Sequence, residues 1–232
     1  MMKKMSAVLM CVFCVMSVVQ AGTSTFSAVD DSYIRISDGS TSSHGSEAYM
    51  VTNNGTGSGK LRWSFVKFDL SSITETITGV KFEIQDTGVG GHHGSQEHTV
   101  YGLITGENWS EATLNYTNAP AKSGNTIDMA GVYGGQALSV FDYDSNTQPI
   151  VAAIDQTAGG LAVDFINADG DGIITFIIAR TETPDDNGIA WATKESAYSG
   201  VAQPLLTVYT VPEPATLVLL GLGGLVLRKR KK

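Results

Sequence analysis

The sequence has almost no cysteine. Cys11 and Cys14 are the only two in 232 residues, and both lie within the first 21. Exported domains often use disulfide bonds for reinforcement, and these require paired cysteines outside any cleaved leader. The chain from residue 22 onward therefore has no disulfides, and its stability must come from its core and from any bound ions.

Basic residues are also scarce in the middle of the chain. The formal net charge is −8, but seven of the 15 basic residues are at the two ends, at Lys3, Lys4 and 228–232. The eight that remain face 22 acidic residues once Glu213 is set aside, so residues 22–210 carry about −14. This charge repels phosphate backbones and anionic lipid headgroups, which argues against nucleic acid as a partner.

A long apolar run is missing at the start of the chain. The run Ala7 to Val19 is too short to span a bilayer, and it follows two lysines. The small-residue pattern Val19-Gln20-Ala21 comes next. These features are typical of a secretory signal peptide over residues 1–21 that a signal peptidase removes after Ala21.

The apolar run near the other end is short as well. Residues 215–227 are thirteen residues without a charge. They span about 20 Å as a helix, against about 30 Å for a bilayer core. The basic residues 228–232 favour the cytoplasmic side, so the middle of the chain lies outside. Without reference to any family, these residues predict a weak tail anchor.

The letters before that run are Val211, Pro212, Glu213 and Pro214. A "VPEP" box, a glycine-rich apolar segment and a basic cluster, together residues 211–232, resemble the PEP-CTERM sorting signal. The resemblance implies an exosortase that processes the tail, and only transient anchoring in the inner membrane. It also implies a Gram-negative bacterium, with the protein at the cell surface or in a polysaccharide-rich extracellular matrix.

Residues 22–210 show a hydrophobic pattern of period two, which is typical of strands. Clear examples are Arg62–Leu70 and Ile77–Ile84, while Ile173–Ala179 is apolar throughout and indicates a strand buried on both faces. Short strands between glycine-rich turns predict an all-β fold, a single β-sandwich of jelly-roll type. Only Pro149–Thr157, with its early proline, predicts a short helix.

Several short motifs follow one another along this region. Their residues are Asp31, Tyr33 and Ile34; Phe65, Phe68, Asp69 and Leu70; Trp109, Glu111, Thr113, Asn118 and Pro120; Lys194 and Glu195; and Pro204, Leu206 and Val208. Their order resembles the DNRLRE-type domain, also classed as carbohydrate-binding module family 96. The sequence departs from that pattern at Lys67 and Lys194, where arginine is usual, and at Tyr116, where a second tryptophan is usual.

The resemblance implies binding of acidic glycans such as alginate. The charge of residues 22–210 opposes this, because an acidic surface repels a polyuronate unless Ca²⁺ bridges the two. The class of sugar therefore stays open.

The stretch from Trp109 to Pro120 has two interpretations. Trp109 and Tyr116 are candidates to stack on a sugar ring while Glu111 and Asn118 bind its hydroxyl groups. Alternatively, Trp109 packs as a plug over one open end of the sandwich. Trp63 and Trp191 lie in predicted strands and are expected to be packing residues.

Pairs of aspartates suggest a structural calcium ion. Asp169 and Asp171 begin a stretch with the oxygen ligands and turn glycine of a calcium loop, although no closing glutamate follows. A simple Asx turn explains the same letters. The pair Asp30 and Asp31 is a further candidate, and so is the pair at 185–186.

Gly91–His98 gathers three histidines and Glu97, which predicts either a zinc site or a solvated hairpin loop. A Gly-x-Ser-x-Gly elbow is absent, and no pair of carboxylates stands out as a hydrolase pair. The sequence therefore predicts a non-enzymatic protein that binds extracellular polysaccharide. The alternatives are a structural matrix or surface protein without sugar recognition and, third, a polysaccharide lyase.

Overall fold

The computed structural model describes residues 22–36, 41–56, 60–89, 95–144, 150–181 and 187–211. Within these ranges the chain forms mainly strands, with one α-helix, α1 (Leu161–Ala168). The strands are β1 (Gly22–Ser27), β2 (Asp30–Arg35), β3 (Tyr49–Asn54), β4 (Leu61–Asp69), β5 (Thr76–Gln85), β6 (Ser95–Gly102), β7 (Lys122–Ser123), β8 (Thr126–Ile127), β9 (Ser139–Asp144), β10 (Ile150–Thr157), β11 (Ile173–Arg180), β12 (Gly188–Ala192) and β13 (Leu205–Val211).

Two antiparallel sheets form a sandwich. One has four strands in the order β1-β13-β5-β10, and the other has seven, β12-β3-β4-β11-β6-β9 with β2 also paired to β4. Several paired strands are far apart in sequence, as in β1 with β13 and β4 with β11. This connectivity is typical of jelly rolls, and the predicted all-β sandwich is confirmed.

The core between the sheets is built from the apolar faces that the alternation predicts. Val66 and Phe68 of β4 face Phe82 of β5, and all three are fully buried. Phe82 stacks on Phe176 of β11 with 5.0 Å between the ring centroids. These contacts fix which face of each strand points inward.

The outer face of the seven-stranded sheet is covered as well. Segment 103–132 packs on it and buries Trp109 and Leu114 in one cluster with Trp63 and Phe65. As a result, β11 is buried on both faces, as its continuous apolar sequence predicts. This second core holds the segment that carries several of the candidate site residues.

The short helix predicted over Pro149–Thr157 is wrong. Ile150–Thr157 forms β10 and pairs with β5, while residue 149 lies outside the described ranges. A register shift between Ala152 and Ile154 breaks the alternation along β10, so the strand pattern is hidden in the sequence. The helix lies further on, in α1, which buries Ala162 and Phe165.

Some predicted features lie outside the described ranges. They are the signal peptide at 1–21, the aspartate pair at 185–186, the segment 215–227, the basic residues 228–232, and Pro212, Glu213 and Pro214 of the sorting box. Val211 is the last residue of β13. Over the described ranges, no helix combines the length and apolarity needed to span a membrane.

Candidate functional site

Trp109 is buried in the second core. Its side chain is 7% exposed, and the indole Nε1 donates a hydrogen bond to Thr175 Oγ1 at 3.1 Å. Phe65 meets the ring edge-on at 5.9 Å, and the Lys67 ammonium lies over it at 4.4 Å from the centroid. No ring face is open for a sugar to stack on, and the packing is that of the plug interpretation. Trp63 and Trp191 are buried too, as expected of packing residues.

The other residues predicted to bind sugar are engaged in the fold of the same loop. Tyr116 is half-buried beneath the Lys122 ammonium, which is 3.9 Å from the ring centroid. Asn118 Oδ1 accepts from the backbone N–H of Asn115, and its Nδ2 donates to the Thr113 carbonyl. The loop is therefore shaped by these side chains, and its geometry gives no support to a sugar site there.

Glu111 belongs to a cluster of three carboxylates, with Asp31 and Glu195, whose oxygens lie within 4.8 Å of one another. Lys194 is the cation of this group: its Nζ donates to Glu111 Oε1 at 2.8 Å and also to Glu195. We call these four residues the lysine cluster. The neighbouring Asp30 is similarly paired, with Lys67 Nζ at 3.0 Å.

Asp31 is the most buried member of the lysine cluster. Its side chain is inaccessible, and Oδ2 accepts from the Lys194 backbone N–H at 2.7 Å. Burial raises the pKa of Asp31 to about 7, against the opposing effect of that hydrogen bond. Two lysine ammoniums thus occupy the surroundings of Asp30 and Asp31, where the sequence suggested calcium. Apart from their place in a family motif, nothing in the sequence indicates that Lys194 and Glu195 join this cluster.

Asp169 and Asp171 lie in a second group of three carboxylates. The predicted turn is present, because Asp169 Oδ2 accepts from the Asp171 backbone N–H and Asp171 Oδ1 from that of Ile173. Gly172 closes it at φ +78°, where an added Cβ would lie only 2.8 Å from the Ser71 backbone. The third carboxylate is Glu107, and the three offer oxygens within 4.8 Å of one another.

Glu107 is the residue that sequence reasoning missed. It lies in the loop after β6, far along the chain from Asp169, and no motif links the two. Its Oε1 is buried without a hydrogen-bond partner. Burial, followed by the charges of Asp169 and Asp171, raises the pKa of Glu107 to about 7.

These three carboxylates line an open cavity of about 450 Å³. Its apolar wall comes from the end of β6, from a 3₁₀ turn and from α1, through Leu103, Ile104, Tyr133 and Phe165. Tyr133 is half-buried and its ring centroid is 5.5 Å from that of Phe165. We call this site the acidic cavity. It combines an apolar wall with acceptor groups, which is the chemistry of a small polar ligand site.

The predicted zinc loop is not assembled in the described residues. His98 lies in β6 and is fully buried, stacked on Phe141 at 5.3 Å and edge-on to Trp191. Burial lowers the pKa of His98 to about 3, so the ring is neutral. Glu97 is exposed on the same strand, and residues 91–94 lie outside the described ranges.

Two family models match the sequence. Carbohydrate-binding module family 96 matches residues 22–210, and the PEP-CTERM protein-sorting motif matches residues 210–231. A comparison with curated proteins finds no match. The chain therefore belongs to carbohydrate-binding module family 96 and carries a PEP-CTERM sorting motif after that module.

Proposed function

We propose that this is an exported, non-enzymatic protein that binds polysaccharide at the cell surface or in the extracellular matrix, and that an exosortase sorts it through its tail. Membership in a carbohydrate-binding module family supports the binding role. The sorting motif supports export and association with the membrane or cell surface. A Ca²⁺ ion at one of the aspartate pairs stays a prediction.

The acidic cavity is the site that we propose for the glycan. The observation that carries this choice is its combination of sugar-sized volume, aromatic wall and carboxylate acceptors in one concave surface. A volume of about 450 Å³ falls within the usual range for ligand sites. The half-buried Tyr133 offers an apolar surface for the C–H face of a sugar ring, and Glu107 and Asp171 offer acceptors for hydroxyl groups.

The Trp109 loop is the competing location, and a glycan array separates the two. The full-length protein and four variants are tested for retention on immobilised polysaccharides, with and without added Ca²⁺. Tyr133→Ala and Glu107→Gln are expected to weaken retention, whereas Tyr116→Ala in the loop and Asp142→Asn at an exposed position of β9 are not. Retention that depends on Tyr116 and not on Tyr133 would move the site to the loop.

The same array addresses the other function classes. If no polysaccharide is retained and the protein assembles with itself, the structural alternative is correct and the binding function is wrong. Release of unsaturated products from polyuronates, followed by ultraviolet absorbance, would contradict the non-enzymatic assignment.

A further inference from the structure

We infer that the acidic cavity takes a sugar unit carrying a protonated amino group, so that the ligand is a polysaccharide of partly deacetylated amino sugars. This inference rests on the proposed function and names its ligand class. It differs from the acidic glycan that the family resemblance implies.

The acidic cavity holds negative charge that the chain leaves unbalanced. Among the residues that the structure describes, no lysine, arginine or histidine forms an ion pair with Glu107, Asp169 or Asp171. The nearest influence is Lys67, which lowers the pKa of Glu107 only as a minor effect and is itself paired with Asp30. Glu107 Oε1 is buried and accepts no hydrogen bond. A buried carboxylate oxygen without a partner is costly, so the cavity suits a ligand that donates charged hydrogen bonds.

The lysine cluster provides a template for such a ligand within the same molecule. There, two of three carboxylates, Glu111 and Glu195, accept from a primary ammonium, that of Lys194, and the third, Asp31, accepts from the Lys194 backbone N–H. The acidic cavity repeats the carboxylates without the ammonium. The protonated amine of an amino sugar is chemically the same group as the lysine head, and it donates up to three hydrogen bonds.

The size of the cavity favours a sugar over an ion. A bare metal ion would fill a small part of about 450 Å³ and would leave the half-buried Tyr133 and the exposed Ile104 without a ligand to pack on. A sugar ring uses both features of the site, because its C–H face packs on the aromatic wall while its amine reaches the carboxylates. The volume and the wall therefore favour an amino sugar over a cation alone.

The overall charge of residues 22–210 also favours a cationic ligand. Residues 22–210 carry about −14, a field that attracts polycationic chains and repels polyuronates. At physiological ionic strength this long-range attraction is screened. Binding that persists under those conditions is therefore due to contacts in the acidic cavity and not to the overall charge of the surface.

The test is a calorimetric titration of the full-length protein at physiological ionic strength, below the pKa of the sugar amine. The probes are a glucosamine tetramer, its fully N-acetylated counterpart, a mannuronate tetramer and CaCl₂ alone. The glucosamine tetramer is expected to bind at least about tenfold more tightly than the acetylated one, because only its protonated amine can donate a charge-assisted hydrogen bond to the carboxylates. Glu107→Gln and Asp171→Asn should each weaken it by about tenfold, because both keep the shape and an acceptor but remove a carboxylate that the bound ammonium keeps ionised. Asp142→Asn is the matched control and should change nothing.

The outcomes separate this inference from the proposed function. Equal or tighter binding of the acetylated or the mannuronate tetramer overturns the amino-sugar inference and leaves polysaccharide binding intact. Equal weakening by Asp142→Asn overturns it as well, since attraction would then be unspecific. Binding of Ca²⁺ alone that Glu107→Gln abolishes, with no glucosamine binding, identifies a cation site instead. Failure to bind any glycan contradicts both proposals. Thermal melting of each variant confirms that it folds.

Discussion

The lysine cluster and the acidic cavity contain the same number of carboxylates at similar spacing, but they differ in their counter-charge. In the first, Lys194 Nζ lies 2.8 Å from Glu111 Oε1 and also contacts Glu195. In the second, the described residues supply no cation, and the space beside the carboxylates is open. The comparison indicates that the first group is internal structure, since the chain itself supplies its cation. The second is the one that we propose as the ligand site.

The two groups are linked by one short segment. Glu107 belongs to the acidic cavity, Glu111 to the lysine cluster, and Trp109 lies between them in the second core. Trp109 therefore positions both groups at once. One substitution can remove Trp109, and others can alter each group by itself. Removal of Trp109 should have the largest effect on the unfolding free energy.

Trp109→Ala has the largest expected effect. It removes a buried indole and the hydrogen bond to Thr175, and deletions of this kind cost about 3–5 kcal/mol of unfolding free energy. Chemical denaturation measures the loss, and Tyr116→Ala, which trims a half-buried ring of the same loop, should cost clearly less. If Trp109→Ala lost no more unfolding free energy than Tyr116→Ala, the interpretation of Trp109 as a plug would be wrong.

Lys194→Met should lower the unfolding free energy by about 3 kcal/mol, since it leaves Asp31, Glu111 and Glu195 without their cation. Lys81→Met is the matched control, because Lys81 pairs with Glu83 on the four-stranded sheet where solvent screens the pair, and its loss should be clearly smaller. Denaturation curves of both variants measure the two losses of unfolding free energy. Equal losses would show that the lysine cluster is no more than a surface ion pair.

Asp31 should make stability depend on pH in a definite direction. Burial raises its pKa from 3.8 to about 7, so the folded chain holds the proton more tightly than the unfolded chain does. Its contribution is complete below about 3.8 and is lost as the pH rises towards about 7. The unfolding free energy of the wild type minus that of Asp31→Asn, measured across this range, should therefore fall. Lys194, Glu111 and Glu195 are the charged groups that modulate it. A difference that rises with pH would mean that Asp31 is held as a carboxylate in the folded chain.

Among these substitutions, Glu107→Gln should change the unfolding free energy least. Unlike Trp109→Ala and Lys194→Met, it should raise it. Burial, followed by repulsion from Asp169 and Asp171, raises the pKa of Glu107, and the neutral amide removes both costs, so the variant should be more stable near neutral pH by less than about 1 kcal/mol. Thermal melting at pH values around 7 detects the shift. If instead the variant were destabilised as strongly as Lys194→Met, Glu107 would have a structural partner and the cavity would not be open to a ligand.

Much of the fold follows from local pattern. The alternation in β4 and β5 assigned inward faces correctly, and the unbroken apolar run of β11 predicted burial on both sides. What covers the outer face of β11 was not evident, because segment 103–132 contains only short elements and its packing depends on long-range contacts. The strand β10 was missed because a bulge disturbs its alternation.

The candidate site was less accessible from the sequence. Asp169 and Asp171 were visible as a turn motif, but Glu107 joins them only through the fold and follows no spacing rule. Trp109 has the residue type of a sugar platform, and only burial distinguishes that role from a plug. Whether a carboxylate has a lysine partner is likewise a matter of tertiary contact, which is why Asp31 and Asp169 looked alike in the sequence.

The most direct measurement of the central claim is amide hydrogen exchange of the full-length protein with and without the glucosamine tetramer. If the acidic cavity binds the sugar, protection should rise in the loop 103–107 and in the turn 169–173, and the loop 113–118 should be unchanged. Protection confined to 113–118, or to the four-stranded sheet, would contradict the assignment of the site to the cavity.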